Sequence, residues 1–246
     1  MPCRPTVMPD FSQYFDQRMD ALLQCTGSPK FYVKARRRYK ASFALAYPAL
    51  SQGGKTVLDL GGWEMAFLCA PLAASVVAVS LGAPKLSADE QSRIQVQTFN
   101  VLDAAFPLEG HQFDIVFFLE ILEHLPPPTD LVMKRLRSLL KPDGILVLSV
   151  PNLAFWQKRL KFFLFGRSPL KLGDERDAFG GYHHIRTYTY DECLTLLNRY
   201  GFRVLRCISG NYQRDFRSGW YNYPFHLMER VFTRFAHKLI FLAAPR

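Results

Sequence analysis

Five short apolar runs, six or seven residues each and rich in β-branched side chains, constrain this chain more than anything else in it. They span residues 55–60, 75–80, 93–99, 113–118 and 144–150, and Gly61 and Gly62 directly follow the first. Runs this short, closed by glycine or polar residues, read as strands buried on both faces rather than as helices. Helical stretches such as residues 129–140 lie between some of them. That alternation predicts a mostly parallel sheet covered by helices on both sides. Two helices, over residues 11–23 and 31–50, come first, so residues 1–50 read as a helical segment packed on a core formed by residues 51–246. After Val150 the pattern changes, and residues 151–186 read as an insertion. Residues 153–165 are aromatic and basic, and a glycine- and charge-rich loop follows. Thr189 and Glu192 form a capping-box pattern that opens a helix, which Gly201 stops. A strand over 202–208, a helix around 225–235 and a closing antiparallel strand over 238–243 complete the expectation.

The composition, 49% hydrophobic and 21% charged, is that of a globular chain able to bury a sizeable core. No apolar run approaches the ~18 residues of a membrane-spanning helix. The first ten residues lack the apolar stretch of a secretory signal. Five cysteines (Cys3, Cys25, Cys69, Cys193, Cys207) are scattered without a Cys-x-x-Cys pair, which argues against a disulfide framework and against zinc. A reduced, cytoplasmic setting is the expectation. The net charge is +10, and nearly all the excess lies after Val150, where 16 Lys/Arg face 7 Asp/Glu. Such a field favours phosphate-bearing partners. Nucleic acid is not expected, since none of the known binding modules is present. An anionic membrane surface is the other candidate. Trp156, Leu160 and Phe163 recur at helical spacing, with Lys158, Arg159 and Lys161 on other faces; this suits either a membrane-surface helix or ordinary amphipathic packing.

In an open parallel sheet, ligands bind beyond the carboxyl ends of the strands. The ends in question are Asp59-Leu-Gly61-Gly62, Ser80-Leu81, Asn100-Val-Leu-Asp103 and Leu119-Glu-Ile-Leu-Glu123-His124. In order, Val57-Leu-Asp-Leu-Gly61, Phe113-Asp-Ile-Val116, Leu122-Glu-His-Leu125 and Leu140-Lys-Pro-Asp-Gly144 resemble the signature of class I S-adenosylmethionine (SAM)-dependent methyltransferases. Val150-Pro-Asn152, Trp156, Arg159, Gly166-Arg167 and His184-Ile-Arg-Thr-Tyr-Thr189 are similar to a bacterial subfamily found in methionine-biosynthesis operons and surface-polysaccharide clusters. The resemblance implies a Rossmann-like α/β fold, with a seven-stranded sheet containing one antiparallel strand and a lid insertion. It also implies SAM as cofactor and methyl transfer, most readily to an oxygen of a small polar or lipid-linked, glycan-type acceptor. It assigns Gly61, Gly62, Trp63, Ser80, Asp103 and the backbone at Leu119 to the cofactor, with Asp103 at the adenine amino group and Asp59 chiefly steadying the loop.

The chain departs from that pattern in the loop after the first strand, at Ser80, and over residues 82–92, which look too short for the usual helix between the second and third strands. Trp63 and Met65 stand where the family has glycines. Either the indole lines the cofactor pocket, or it fills it and leaves a cofactor-free binding or scaffold protein. Ser80 replaces the carboxylate that receives the ribose hydroxyls; a hydrogen bond to a charged group is worth ~1.5–3 kcal/mol, or roughly 10- to 150-fold in affinity. For removing a proton from an acceptor hydroxyl, a histidine is the natural base. His184, in the insertion, is the first candidate and His124 the second. The competing readings are loop anchoring for residues 183–186 and a helix-start position for His124. Glu120 and Glu123 are expected to be solvated or cap-forming. No metal site is expected, because Asp177, His183 and His184 match no ligand spacing.

Overall fold

The structure, a computed structural model, describes residues 10–25, 29–82, 86–166, 184–210 and 233–246. Helices α1 (Phe11–Cys25) and α2 (Pro29–Leu50) lead into β1 (Thr56–Leu60), α3 (Glu64–Cys69) and β2 (Ser75–Val79). Then come α4 (Ala88–Arg93), β3 (Ile94–Gln97), β4 (Phe113–Leu119), α5 (Asp130–Ser138) and β5 (Leu140–Pro151). Helices α6 (Trp156–Phe165) and α7 (Tyr190–Arg199) and strands β6 (Phe202–Gly210) and β7 (Lys238–Pro245) complete the order.

The seven strands form one sheet in the order β3-β2-β1-β4-β5-β7-β6. Strands β3, β2, β1, β4 and β5 pair in parallel, and β7 inserts antiparallel between β5 and β6. This is the expected Rossmann-like sheet with its single reversed strand, and the apolar run over residues 238–243 does form that strand. Order reverses at β1, where the chain runs outward to β2 and β3 and returns through β4. The crevice beyond β1 and β4 is therefore where a ligand belongs.

Alternation along each strand divides the core in two. Leu58, Leu60, Val116, Phe118 and Leu148 face the side covered by α5 and α7. Val57, Ile115, Phe117, Val147 and Ile240 face the side covered by α1, α2 and α3. The N-terminal helices thus share one apolar core with the sheet, through Phe15, Met19, Phe43 and Leu50. Two helix starts are set locally. Ser87 and Glu90 form a reciprocal capping box on α4, and Thr189 and Glu192 form the one the sequence signalled on α7. The strand expected over 93–99 is shorter, because α4 runs to Arg93 and Asn100 and Asp103 turn the chain immediately after it. Residues 167–183 of the insertion and most of the helix expected at 225–235 lie outside the described residues; Thr233–Phe235 form a 3-10 turn.

Candidate active site

The loop after β1 is shaped by Gly61 and Asp59. Gly61 has φ +100°, a region that side chains disfavour, and a Cβ there would come 2.5 Å from Cδ1 of Ile121. Its N–H donates to the Val79 carbonyl (2.8 Å), tying the loop to the end of β2. Asp59 is buried, and its carboxylate accepts from the Met65 and Ala66 N–H groups (2.8 and 3.1 Å) at the start of α3. Burial, together with nearby Glu64, pushes its pKa up to about 7. These two bonds tie the end of β1 to the start of α3.

Trp63 takes neither of the roles open to it. Its φ is −141°, which needs no glycine. The indole meets the Tyr32 ring on α2 (centroids 6.3 Å apart) and the Phe67 ring on α3 (6.1 Å), edge to face in both cases. Met65 is buried within α3. Aromatic contacts with α2 thus draw the bulky replacement out of the crevice. Trp63 is not among the residues that line the crevice left between the strand ends.

That crevice is a cavity of about 350 Å³ lined by Leu60, Gly61, Ser80, Phe99, Asn100 and Leu102, among others. Its size falls within the range of small-molecule sites. Ser80 lies on its wall, with Oγ accepting from the Gly82 N–H (3.3 Å). Asp103 does not line it. The Asp103 carboxylate accepts from the Asn100 N–H (2.9 Å), while Arg135 donates to its carbonyl (2.7 Å). Asp103 therefore shapes the turn that presents Asn100. Tested against an adenosyl ligand, the residues fit. The glycine at φ +100° lets the backbone approach closely, apolar walls from Leu60, Phe99 and Leu102 suit a base, and no side chain among the described residues plugs the space. The ribose carboxylate alone is missing.

A second cavity of about 360 Å³ adjoins the first, and the two share Gly61, Glu120, Ile121 and His124. Leu119 and Gly62 line this second cavity, with Arg38, Glu123, His184 and Lys238. Two expectations fail here. Glu120 is not solvated: its carboxylate accepts from Ser149 Oγ (2.9 Å), pairs with Arg38 (3.3 Å) and contacts Lys238 Nζ. It also has φ +58°, the sole non-glycine in the left-handed region among the described residues. Strain of this kind persists only where neighbours over-determine the residue. Burial and the charge of Arg38 press the pKa of Lys238 downward.

Glu123 is fully buried, and neither carboxylate oxygen has a hydrogen-bond partner among the described residues. Burial raises its pKa to about 8, so it is neutral at pH 7. The carbonyl of Glu123 accepts from the Ile185 and Arg186 N–H groups (2.8 and 3.1 Å), and this brings His184 down onto the cavity. His184 Nε2 lies 3.9 Å from the Glu123 carboxylate, and its ring is 4.9 Å from that of His124. Desolvation lowers its pKa, helped by His124 and Lys158, which keeps the imidazole neutral. The two candidate bases therefore stand together at one site. Donor atoms of Glu123, His124 and His184 lie within 4.8 Å of one another, so these are the residues that could hold a cation.

Arg38, Ser149 and Lys238 were not singled out from sequence. Arg38 sits inside a run of basic residues, and Lys238 looks like an ordinary strand start. Only the fold brings α2 and β7 to the same point.

A protein-family profile described as a methyltransferase domain matches residues 32–206, well over half of the chain. The chain belongs to that family. Curated relatives include ubiquinone biosynthesis O-methyltransferases. The one from Psychrobacter arcticus is 34% identical over 131 residues, covering 49% of this chain and 48% of that protein. The one from Xanthomonas axonopodis is 37% identical over 112 residues, covering 42% and 46%. This chain thus spans less than half the length of these relatives. Among solved structures, the methyltransferase domain is similar to a Burkholderia thailandensis 1,6-didemethyltoxoflavin N1-methyltransferase solved with S-adenosylhomocysteine (TM-score 0.57, 17% identity, 98% of this chain and 93% of that one). It is also similar to a Synechocystis magnesium protoporphyrin IX methyltransferase (TM-score 0.55, 18% identity, 95% and 97%). These two likenesses establish the fold.

Proposed function

We propose that this protein is a SAM-dependent methyltransferase that methylates an oxygen on a small polar or lipid-linked acceptor. The observation that carries this reading is the pair of adjoining cavities at the carboxyl ends of β1 and β4. One is walled by apolar side chains and a glycine backbone, the other by the imidazoles of His124 and His184 and the buried Glu123 carboxyl, beside Arg38, Glu120 and Lys238. The relatives named for O-methyl transfer support oxygen as the target.

Gly61 and Gly62, Ser80, the Asn100–Leu102 turn held by Asp103, and the backbone at Leu119 and Glu120 would hold the cofactor. When bound, SAM supplies an electrophilic methyl group. Gly61 and Ile121, at the seam of the two cavities, orient the reactants, and positioning is the larger part of catalysis for such a transfer. His184, kept neutral by burial, accepts the proton of the acceptor hydroxyl at Nε2. His124, in edge contact with it, fixes the ring. The Glu123 carboxyl, 3.9 Å from Nε2, stands beside the imidazolium that forms.

The test is transfer of a labelled methyl group from SAM to catechol, with wild type beside His184→Ala. The expected result is label on a catechol oxygen, with turnover reduced about 10²-fold or more in the variant while SAM affinity is unchanged. Full turnover by His184→Ala would contradict the base assignment.

A further inference from the structure

We propose that α6 docks the protein on an anionic phospholipid surface and enters it tip first. The base of this helix is rooted in the core. Asn152 is buried, its Nδ2 donating to the Arg234 and Ala236 carbonyls (2.9 and 2.7 Å) and its Oδ1 accepting from the Ala154 N–H. Phe155 is buried against the His237 ring (4.9 Å). Beyond that point no residue of α6 is buried. Phe162, Phe163, Leu164 and Phe165 are 57%, 83%, 56% and 66% exposed.

Four consecutive helical residues, set about 100° apart, span roughly 300° and so point all around the helix axis. The apolar surface therefore rings the whole last turn and is not the stripe that packing on one neighbour would use. Gly166, in the left-handed conformation, ends the helix there, its N–H donating to the Phe162 carbonyl (2.9 Å).

Lys158, Arg159 and Lys161 form a cationic collar behind this tip. At a rise of about 1.5 Å per residue, Lys161 lies ~6 Å and Lys158 ~10 Å behind Phe165. Apolar residues of interfacial helices sink about 5–10 Å past the headgroups, so the collar falls at the depth of lipid phosphates. An apolar protein groove would seat the aromatic tip but gives no reason for the cations behind it. The excess of positive charge after Val150 adds attraction of the same sign.

The docked tip also bears on the second cavity. Lys158 lies close enough to His184 to lower its pKa, and the exposed Phe31 lines that cavity. A lipid-linked acceptor would thus be met at the surface where it resides. The inference goes beyond the methyl-transfer reading, and its readout uses no methyl donor.

The experiment is co-sedimentation of the full chain with phosphatidylcholine vesicles, alone or with roughly 30 mol% phosphatidylglycerol. Wild type should bind the anionic vesicles about tenfold more than the neutral ones, with binding lost at high salt. Phe163→Glu/Phe165→Glu and, separately, Lys158→Glu/Lys161→Glu should each lower bound protein about tenfold while melting temperatures hold. Equal wild-type binding to both vesicles, or variants that bind like wild type, would overturn the proposal. So would a wild type that ignores vesicles but forms a dimer that Phe163→Glu/Phe165→Glu abolishes.

Discussion

Ser80 and Glu123 are single residues whose chemistry can be isolated. Ser80 lies on the wall of the first cavity, where its hydroxyl accepts the Gly82 N–H. A carboxylate there would offer the charged acceptor that a ribose diol uses. Ser80→Asp should tighten SAM binding about tenfold or more by calorimetry, and no gain would place the ribose elsewhere. Glu123 affects stability. Its folded pKa of about 8 lies above the value of 4.5 for a free glutamate. Between those values the folded state holds a proton that the unfolded state has released, so stability falls as pH rises from 4.5 to 8 and then levels. At pH 7 the penalty is at most about 3 kcal/mol. Glu123→Gln should therefore be the more stable protein in EDTA, with a gap in urea denaturation that widens from pH 5 to pH 8. A gap independent of pH would show that Glu123 ionises freely.

At the scale of elements, α2 shapes the site from outside the sheet. Tyr32 on this helix holds Trp63, and Arg38 holds Glu120 at the end of β4. Trp63→Ala should lower stability by about 2 kcal/mol in denaturant melts and leave SAM affinity within about threefold, because the lost contacts are packing contacts. A large loss of affinity with little loss of stability would return the indole to the cofactor site. The strands were legible from sequence because a doubly covered parallel sheet demands unbroken apolar runs, and Gly61 because the loop needs its positive φ. The capping box at Thr189 was legible because it is a local pattern. Trp63 was misread because aromatic packing against α2 is a long-range contact that no local spacing encodes. Glu120 and Glu123 were misread for a related reason. Their burial follows from β7 and His184 arriving from far along the chain, and carboxylates read alone look solvated.

Over the whole molecule, the fold joins two cavities at one seam while its excess charge lies in the C-terminal part and around α6. No helix among the described residues is long and apolar enough to cross a membrane. The account rests on the first cavity accepting an adenosyl group despite the bulky residues in the preceding loop. Titration calorimetry with S-adenosylhomocysteine tests this most directly, in wild type and in Gly61→Val with its fold checked by circular dichroism. The prediction is one site per chain with a Kd below about 1 mM, lost in the variant whose side chain invades the loop at φ +100°. Absence of heat at millimolar ligand, or undiminished binding by Gly61→Val, would contradict it.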